Sequence, residues 1–311
     1  MIHILKIGGG RGIDGVSALR NLAERVQNGE RWVLVHGASA AADALAEQVG
    51  YPARTLVTPG GHTSRYTDAR TLEIFCAAAA AVNQQLTAQL TSFGIGAVGL
   101  AGPSVIRARR KSGIRTMVNG RPVMVRDDYT GTITGIDCGL LSVLLDQGYV
   151  PIVAPVALGE EGERLNIDGD LAAANIARGL EAESLVILSN VPGLLRDMDD
   201  PASLIHSFSL KELDEYEPFA HGRMKKKLLA AQTAQVSRVI LSDARIERPL
   251  DAVRGGAGTH ITAHVVCGDG VGAQHAAPLQ TDVRKAVGVS HTSPAWDNQH
   301  GSARIEEAAG W

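Results

Sequence analysis

A lysine followed by three glycines, Lys6-Ile7-Gly8-Gly9-Gly10, stands near the start of this sequence. Without Cβ atoms, successive backbone N–H groups can close on phosphate oxygens, and the lysine adds a compact positive charge. The run does not end in Gly-Lys-Ser/Thr and lacks the dinucleotide-binding glycine spacing, so it is neither of those fingerprints. A second glycine turn, His36-Gly37-Ala38, repeats the arrangement after another β-branched run. Far along the chain, Gly222-Arg223-Met224-Lys225-Lys226-Lys227 opens a helical stretch whose three lysines point in different directions. Each motif alone reads as a turn or a charged surface. Together they point to an anion site built from both halves of the chain and suited to a phosphoryl group in transit.

Other polar clusters add to this. In Asn166-Ile167-Asp168-Gly169-Asp170, just ahead of a helix, the carboxylates either cap that helix or take a role in the site. Asn166 can donate its amide to a substrate carboxylate, and Asp170 can hold Lys6 or Lys227 or bind the magnesium of a nucleotide. Ser189-Asn190-Val191-Pro192-Gly193-Leu194 follows a strand and suits either a plain turn or contacts to a base or ribose. Arg65 lies in the polar loop Gly60-Gly61-His62-Thr63-Ser64-Arg65-Tyr66-Thr67-Asp68, where its planar fork matches a carboxylate.

The elements that must hold these groups alternate. Strands are expected over 2–7, 32–35, 96–100, 151–156, 184–188 and 238–241, and helices over 16–28, 39–49, 68–90 and 171–180. Alternating β and α units give a mostly parallel sheet covered on both faces, with ligands at the carboxyl ends of its strands. The stretch 105–128 breaks the rhythm and reads as one β-hairpin turning at Asn119-Gly120. It carries Arg107, Arg109, Arg110, Lys111, Arg115, Arg121 and Arg126 with no acid before Asp127, forming either a solvated hairpin or a docking surface for an acidic partner.

Composition excludes several classes. With 30 basic and 33 acidic residues, nothing in the totals calls for nucleic acid or an anionic membrane, and the basic stretch has little aromatic interleaving for base stacking. No apolar run of membrane-spanning length occurs, and no leader pattern is seen, so a cytoplasmic protein is expected. Cys76, Cys138 and Cys267 are too scattered for a disulfide framework or a metal knuckle. From residue 263 the periodicity weakens, and 263–311 is expected to be an irregular tail. Its His264, His275, His291 and His300 lack ligand-like spacing.

On Lys6-Ile7-Gly8-Gly9-Gly10, Val35-His36-Gly37, Leu165 to Asp170 and Gly222 to Lys227, the chain resembles the amino-acid kinase superfamily over residues 1–262, and within it the acetylglutamate kinases. Ser64-Arg65-Tyr66-Thr67-Asp68, Arg107-Ala108-Arg109-Arg110-Lys111 and Arg126-Asp127-Asp128-Tyr129-Thr130-Gly131 are similar to a branch of lysine and arginine biosynthesis. In that branch aminoadipate or glutamate is carried by its amino group on the C-terminal glutamate of a small acidic protein. Ala38 and Arg223 stand where the acetylglutamate enzymes usually have glycine.

The resemblance implies an open three-layer αβα sandwich with a mostly parallel central sheet, plus the basic hairpin. Residues 1–160 would bind the acyl acceptor and dimerise, and 161–262 would bind ATP. It implies Lys6, Lys227 and Asp170 as catalytic residues, with Gly37, Arg65 and Asn166 on the acceptor. Gly8, Gly9, Gly10, Ser189, Asn190 and Gly193 would hold phosphate and nucleotide. Arg107, Arg109, Arg110 and Lys111 would dock the acidic carrier. Mg2+ would enter mainly through ATP, with no protein ligand assigned, and the assembly would be a homodimer. The implied activity is phosphorylation of the distal carboxylate. The rivals are a kinase of free N-acetylglutamate and a nucleotide-binding regulatory module without turnover.

Overall fold

The computed structural model describes residues 1–13, 15–57, 63–118 and 121–263. Asn119-Gly120, Gly60-Gly61-His62, Cys267 and the tail from His264 onward lie outside the described residues. The described chain belongs to one compact unit, Met1–Val266.

The first third alternates as expected: β1 (Ile2–Ile7), α1 (Val16–Gln27), β2 (Arg31–His36), α2 (Ser39–Gln48), β3 (Thr55–Val57), β4 (Thr63–Arg65), α3 (Ala69–Ser92) and β5 (Ala97–Leu100). Asp68 starts α3 by accepting a hydrogen bond from the Thr71 amide, and Gly94, with φ of 79°, lies just past its end. The middle comprises β6 (Ile106–Arg110), β7 (Ile114–Val118), β8 (Arg121–Val125), β9 (Gly131–Ile136), α4 (Cys138–Asp146), β10 (Val150–Val153), β11 (Val156–Leu158) and β12 (Arg164–Asn166). The last third comprises α5 (Gly169–Gly179), β13 (Ser184–Ser189), β14 (Ser207–Ser209), α6 (Leu213–Tyr216), α7 (Arg223–Ala234), β15 (Arg238–Asp243), α8 (Pro249–Arg254) and β16 (Thr259–Thr262).

Eight strands form the main sheet in the order β14-β16-β15-β13-β1-β2-β10-β5, and only the β15/β16 pairing is antiparallel. Because side chains alternate across a strand, Ile4, Val33, Val35, Leu185 and Ile187 pack on one face against α5 and α7. Leu5, Ile7, Leu34, Val186 and Leu188 pack on the other face against α1, α3 and α8. Burying each such Leu or Ile is worth roughly 1.5–3 kcal/mol, so a one-residue slip would be strongly disfavoured. The result is the expected open αβα sandwich with a mostly parallel sheet.

Three local expectations are corrected. The strand expected over 151–156 divides at Ala154-Pro155: β10 stays in the main sheet and β11 enters a second sheet ordered β12-β11-β6-β9. Pro155 has no N–H to continue a ladder. The single hairpin expected over 105–128 also divides. β6 pairs with β9 and β11, while only β7 and β8 form the hairpin. Ile114 turns inward with Leu56 and Tyr66, and Thr116 exchanges hydrogen bonds with the Val57 backbone, so the hairpin leans on β3. Arg65 lies on β4, paired with β3, rather than in a loop.

The two glycine turns meet backbone to backbone. Gly37 N–H donates to Ile7 O at 2.9 Å and Ala40 N–H to Gly9 O at 2.7 Å. A Cβ on Gly9 would overlap Ala38 N and Gly37 C, and one on Gly37 would overlap Gly9 N. Gly10 is looser, its nearest neighbour being Arg223 Nη1 at 3.8 Å. Gly9→Ala should therefore destabilise the fold by about 3 kcal/mol, a fall of about 5–10 °C in thermal midpoint, while Gly10→Ala should stay within about 0.5 kcal/mol. Scanning calorimetry of the two variants checks this, and equal effects would contradict the close approach.

Candidate active site

Lys6 shares the sheet face of Ile4, so the β pleat aims its ammonium at the start of α5. On α7, Lys227 belongs to the buried stripe Lys227, Leu228, Ala230, Ala231 and Ala234, whereas Lys225 and Lys226 lie off it. Helical spacing thus selects one lysine of three. Both selected ammonium groups converge on Asp170 in the first turn of α5: Lys6 Nζ stands 2.6 Å from Oδ1 and Lys227 Nζ donates to Oδ2 at 2.8 Å. The Lys6 contact is a charge pair without hydrogen-bond alignment. All three residues are 6–7% exposed.

Burial alone would raise the Asp170 carboxyl, but Lys6 and then Lys227 outweigh it and hold the group well below the usual carboxylate range. Burial pushes the Lys227 ammonium down, opposed by Asp170 and reinforced by Lys6. The cluster is therefore two cations on one carboxylate, carrying a surplus of positive charge out of water. With both Asp170 oxygens facing ammonium groups, the alternative role of direct magnesium ligand does not fit. Among the described residues no cluster of His, Cys, Asp and Glu could hold a metal ion.

Around this centre stand the carboxyl ends of three neighbouring parallel strands. Gly8 to Gly10 follow β1, Gly37 follows β2, and Ser189 ends β13 with Asn190 exposed beyond it. Gly8 N–H donates to Leu188 O at 2.8 Å, tying the first glycine to the β13 end. Gly193 is buried, and a Cβ there would overlap Thr259, whose hydroxyl receives the Leu194 amide at 2.8 Å. That contact fixes the turn after β13. Gly222, at φ 54° and ψ −118°, opens α7 in a conformation that favours glycine and brings Arg223 over Gly10.

Arg65 reaches the same turns. Its Nη2 donates to Ser39 O at 3.1 Å and pairs with Asp43 at 2.6 Å, and Ser39 Oγ donates to Gly9 O at 2.8 Å. The other guanidinium N–H groups have no partner among the described residues. Asn166 ends β12 and donates to Thr67 Oγ1 at 3.0 Å. Thr67 is held by buried Asp128, which accepts from the Thr67 and Thr130 amides at 2.8 Å each. Asp168 caps α5, accepting from the Asp170 and Leu171 amides, and its Oδ2 meets Lys226 Nζ at 3.1 Å.

The four basic residues grouped in the sequence have different surroundings. Arg107 donates to Pro103 O at 2.6 Å, and Arg109 pairs with Glu160 at 3.0 Å. Arg110 lies over the Tyr129 ring at 3.7 Å and donates to the Asp128 backbone O at 2.9 Å, bracing the main chain of the residue whose carboxylate supports Thr67. Lys111 alone has no side-chain partner among the described residues.

Sequence reasoning did not find the Asp43 partner of Arg65, the Lys226–Asp168 pair, or the His36–Asn83 contact. Asn83 Nδ2 sits 3.2 Å from His36 Nε2 and donates to Ile152 O at 2.9 Å. None of these pairs has a motif spacing; strand order and helix packing bring them together.

Residues 1–241 match the amino acid kinase family. The chain is 42% identical over 265 residues to a LysW-aminoadipate kinase of Deinococcus radiodurans, covering 83% of this chain and 91% of that protein. It is 40% identical to a LysW-aminoadipate kinase of Thermus thermophilus, covering 82% and 98%. Among solved structures, N-acetylglutamate synthase from Neisseria gonorrhoeae, complexed with coenzyme A and N-acetyl-glutamate, superposes with a TM-score of 0.68 at 25% identity. That match covers 84% of this chain and 59% of the synthase.

Asp170→Asn should leave two buried ammonium groups without their anion and destabilise the protein by about 3–5 kcal/mol in denaturant titration. A second expectation concerns pH. Burial lowers His36 from 6.5 to about 4, so on acidification the unfolded chain takes up a proton that the folded chain refuses. This contribution is fully present above pH 6.5 and is lost between there and pH 4. It should remove about 2 kcal/mol of stability between pH 7 and 5, and His36→Gln should flatten that part of the stability profile.

Proposed function

The chain belongs to the amino acid kinase family, and from that premise we propose that it transfers the γ-phosphoryl group of ATP to the distal carboxylate of carrier-linked L-2-aminoadipate, and of L-glutamate. The observation that carries the reading is the buried Lys6–Asp170–Lys227 cluster at the mouth of two abutting glycine turns. The substrate follows from the relatives named above, two of which share 40% or more of their aligned residues with this chain.

The acceptor carboxylate is ionised near neutral pH and needs no general base. Its oxygen forms a bond to the γ-phosphorus as the bond from that phosphorus to the β,γ-bridging oxygen breaks, giving an acyl phosphate and ADP. The protein aligns the two partners and offsets charge. Lys6 and the Gly9 and Gly10 amides cradle the transferring group, Gly8 shaping the turn with its own N–H on Leu188 O; Lys227 offsets charge growing toward ADP, and Asp170 holds both lysines in place. Mg2+ enters on the nucleotide phosphates. Arg65, held on Ser39 O and Asp43, holds the acceptor together with Asn166 and Gly37. Ser189 and Asn190 face the nucleotide, with Gly193 shaping their turn. In this reading residues 1–160 serve the acceptor and 161–262 serve ATP.

The acidic carrier docks on the positive surface of β6 and the β7–β8 hairpin, where Arg107, Arg109, Arg115, Arg121 and Arg126 are exposed. Complementary charge of this kind raises the rate of encounter and suppresses wrong partners. The described helices include none long and apolar enough to cross a membrane; the cytoplasmic setting and the homodimer implied by the resemblance belong to the same reading.

Hydroxamate trapping of the acyl phosphate tests it directly, with carrier-linked aminoadipate, carrier-linked glutamate and free N-acetylglutamate compared in parallel. Product is expected from the carrier conjugates, and Lys227→Ala should lower kcat by about 100-fold or more. Efficient use of free N-acetylglutamate with no gain from the carrier would reject the carrier assignment, and an unchanged kcat in Lys227→Ala would reject the clamp.

A further inference from the structure

Three lysines surround the short segment Asp168-Gly169-Asp170, and only two of them belong to the buried cluster. Lys6 lies beside Gly169 and pairs with Asp170, and Lys227 pairs with Asp170 from α7. The third, Lys226, sets its Nζ 3.1 Å from Asp168 Oδ2. Consecutive residues of α7 therefore grip α5 at its N-cap and in its first turn. The Lys226 and Asp168 side chains are 40% and 22% exposed, against 8% and 7% for Lys227 and Asp170, so the grip has a wet outer pair and a dry inner one.

The start of α7 depends on anions from outside the helix. Its N-cap, Gly222, offers no side chain, a Cβ there would meet nothing within 4 Å, and the first turn contains no acidic residue. Arg223, Lys225, Lys226 and Lys227 thus crowd basic charge at the positive end of the helix dipole, where cations are disfavoured. Asp168 is well placed to hold this turn because its other oxygen is itself fixed. Its Oδ1 accepts the Asp170 amide at 2.9 Å and the Leu171 amide at 3.2 Å. One carboxylate therefore ties the Lys226 ammonium to the main chain of Asp170, the residue that holds Lys227.

We propose that the Lys226–Asp168 pair positions Lys227 for phosphoryl transfer, by fixing the first turn of α7 against the start of α5. Both are positioning residues that act through Lys227 rather than on the reacting atoms, and the assignment rests on the kinase reaction proposed above. With the pair broken, Lys227 keeps Asp170, but the turn that carries it is held at one point instead of two. A partly exposed pair adds little to global stability. A displacement of about 1 Å at a group that must meet developing charge can nevertheless slow a reaction by about 100-fold. The rival role for Lys226 is a direct contact with nucleotide phosphate, in which it would act without Asp168.

Asp168→Asn isolates the pair, because asparagine caps a helix as well as aspartate does and keeps an oxygen for the two amides, while its amide nitrogen offers Lys226 no charge. The test compares it with Lys226→Gln, Lys226→Arg and the double variant Asp168→Asn/Lys226→Gln, in the full chain with ATP and the acceptor conjugates. Asp168→Asn and Lys226→Gln should each lower kcat about tenfold, with KM for ATP within about twofold and the thermal midpoint within about 3 °C of wild type. The double variant should be no slower than either single one, because both changes remove one interaction. Lys226→Arg should recover most of the loss. In NMR of the lysine side-chain nitrogens, the Lys227 ammonium signal should move or broaden in Asp168→Asn.

An unchanged kcat in Asp168→Asn would reduce Asp168 to a helix cap and overturn the proposal. A raised KM for ATP in Lys226→Gln alone would assign Lys226 to the nucleotide, and losses that multiply in the double variant would show two separate roles; either result also overturns it. Wild-type enzyme that phosphorylates no conjugate would instead reject the substrate reading. The Lys227 signal then decides the pair by itself, and a signal unchanged in Asp168→Asn would overturn it.

Discussion

Asp170 holds two ammonium groups that would repel each other in its absence, one from the first strand and one from the seventh helix. Burial makes this arrangement costly to disrupt, since removing one charge leaves the others unpaired in a poorly solvated space. The same burial keeps the lysine charges strong, because water does not screen them. The first residues of α5, the core stripe of α7 and the pleat of β1 all serve to bring these three side chains together. Even Gly169 takes part: a Cβ there would stand 3.4 Å from Lys6 Cε.

Around this cluster the parallel sheet gathers the backbone of the glycine turns. Strand ends in a parallel sheet finish on one edge, and here β1, β2 and β13 deliver Gly8 to Gly10, Gly37 and Ser189 to neighbouring positions. The Gly9–Gly37 contact brings the two turns closer than any side chain would permit. The conformational freedom of glycine matters little at this point; what counts is the absent Cβ. Gly222 is the opposite case, with open space around it and a positive φ that a side chain would oppose.

The polar surroundings form graded shells. Asp128, Thr67 and Asn166 make a largely buried hydrogen-bonded frame, and Arg110 is drawn into it by stacking on Tyr129. Arg65 is partly neutralised by Asp43, which fixes its fork while leaving donors to spare. Farther out, Arg109 is tied only to an exposed glutamate, a pairing worth little in water and easily exchanged for another anion. A run of basic residues in the sequence thus separates into a brace, Arg110, and a solvated surface.

The αβα class and most strand and helix positions were legible in the sequence because hydrophobic period and glycine punctuation are local properties. Lys6, the glycine turns and Asp170 stood out for the same reason, since each belongs to a short contiguous motif. Where chain pairing decides, local signals failed: 105–128 looked like one hairpin, but β6 found better partners in β9 and β11. The choice of Lys227 among three lysines was suggested by motif and fixed by the buried stripe of α7. Asp43 beside Arg65 and Lys226 on Asp168 had no sequence signature at all. By itself the sequence determined which residues could carry charge and close on an anion. Only the tertiary structure decided which charges meet, because ion pairs between residues far apart in the chain depend on strand order and helix packing that no local pattern encodes.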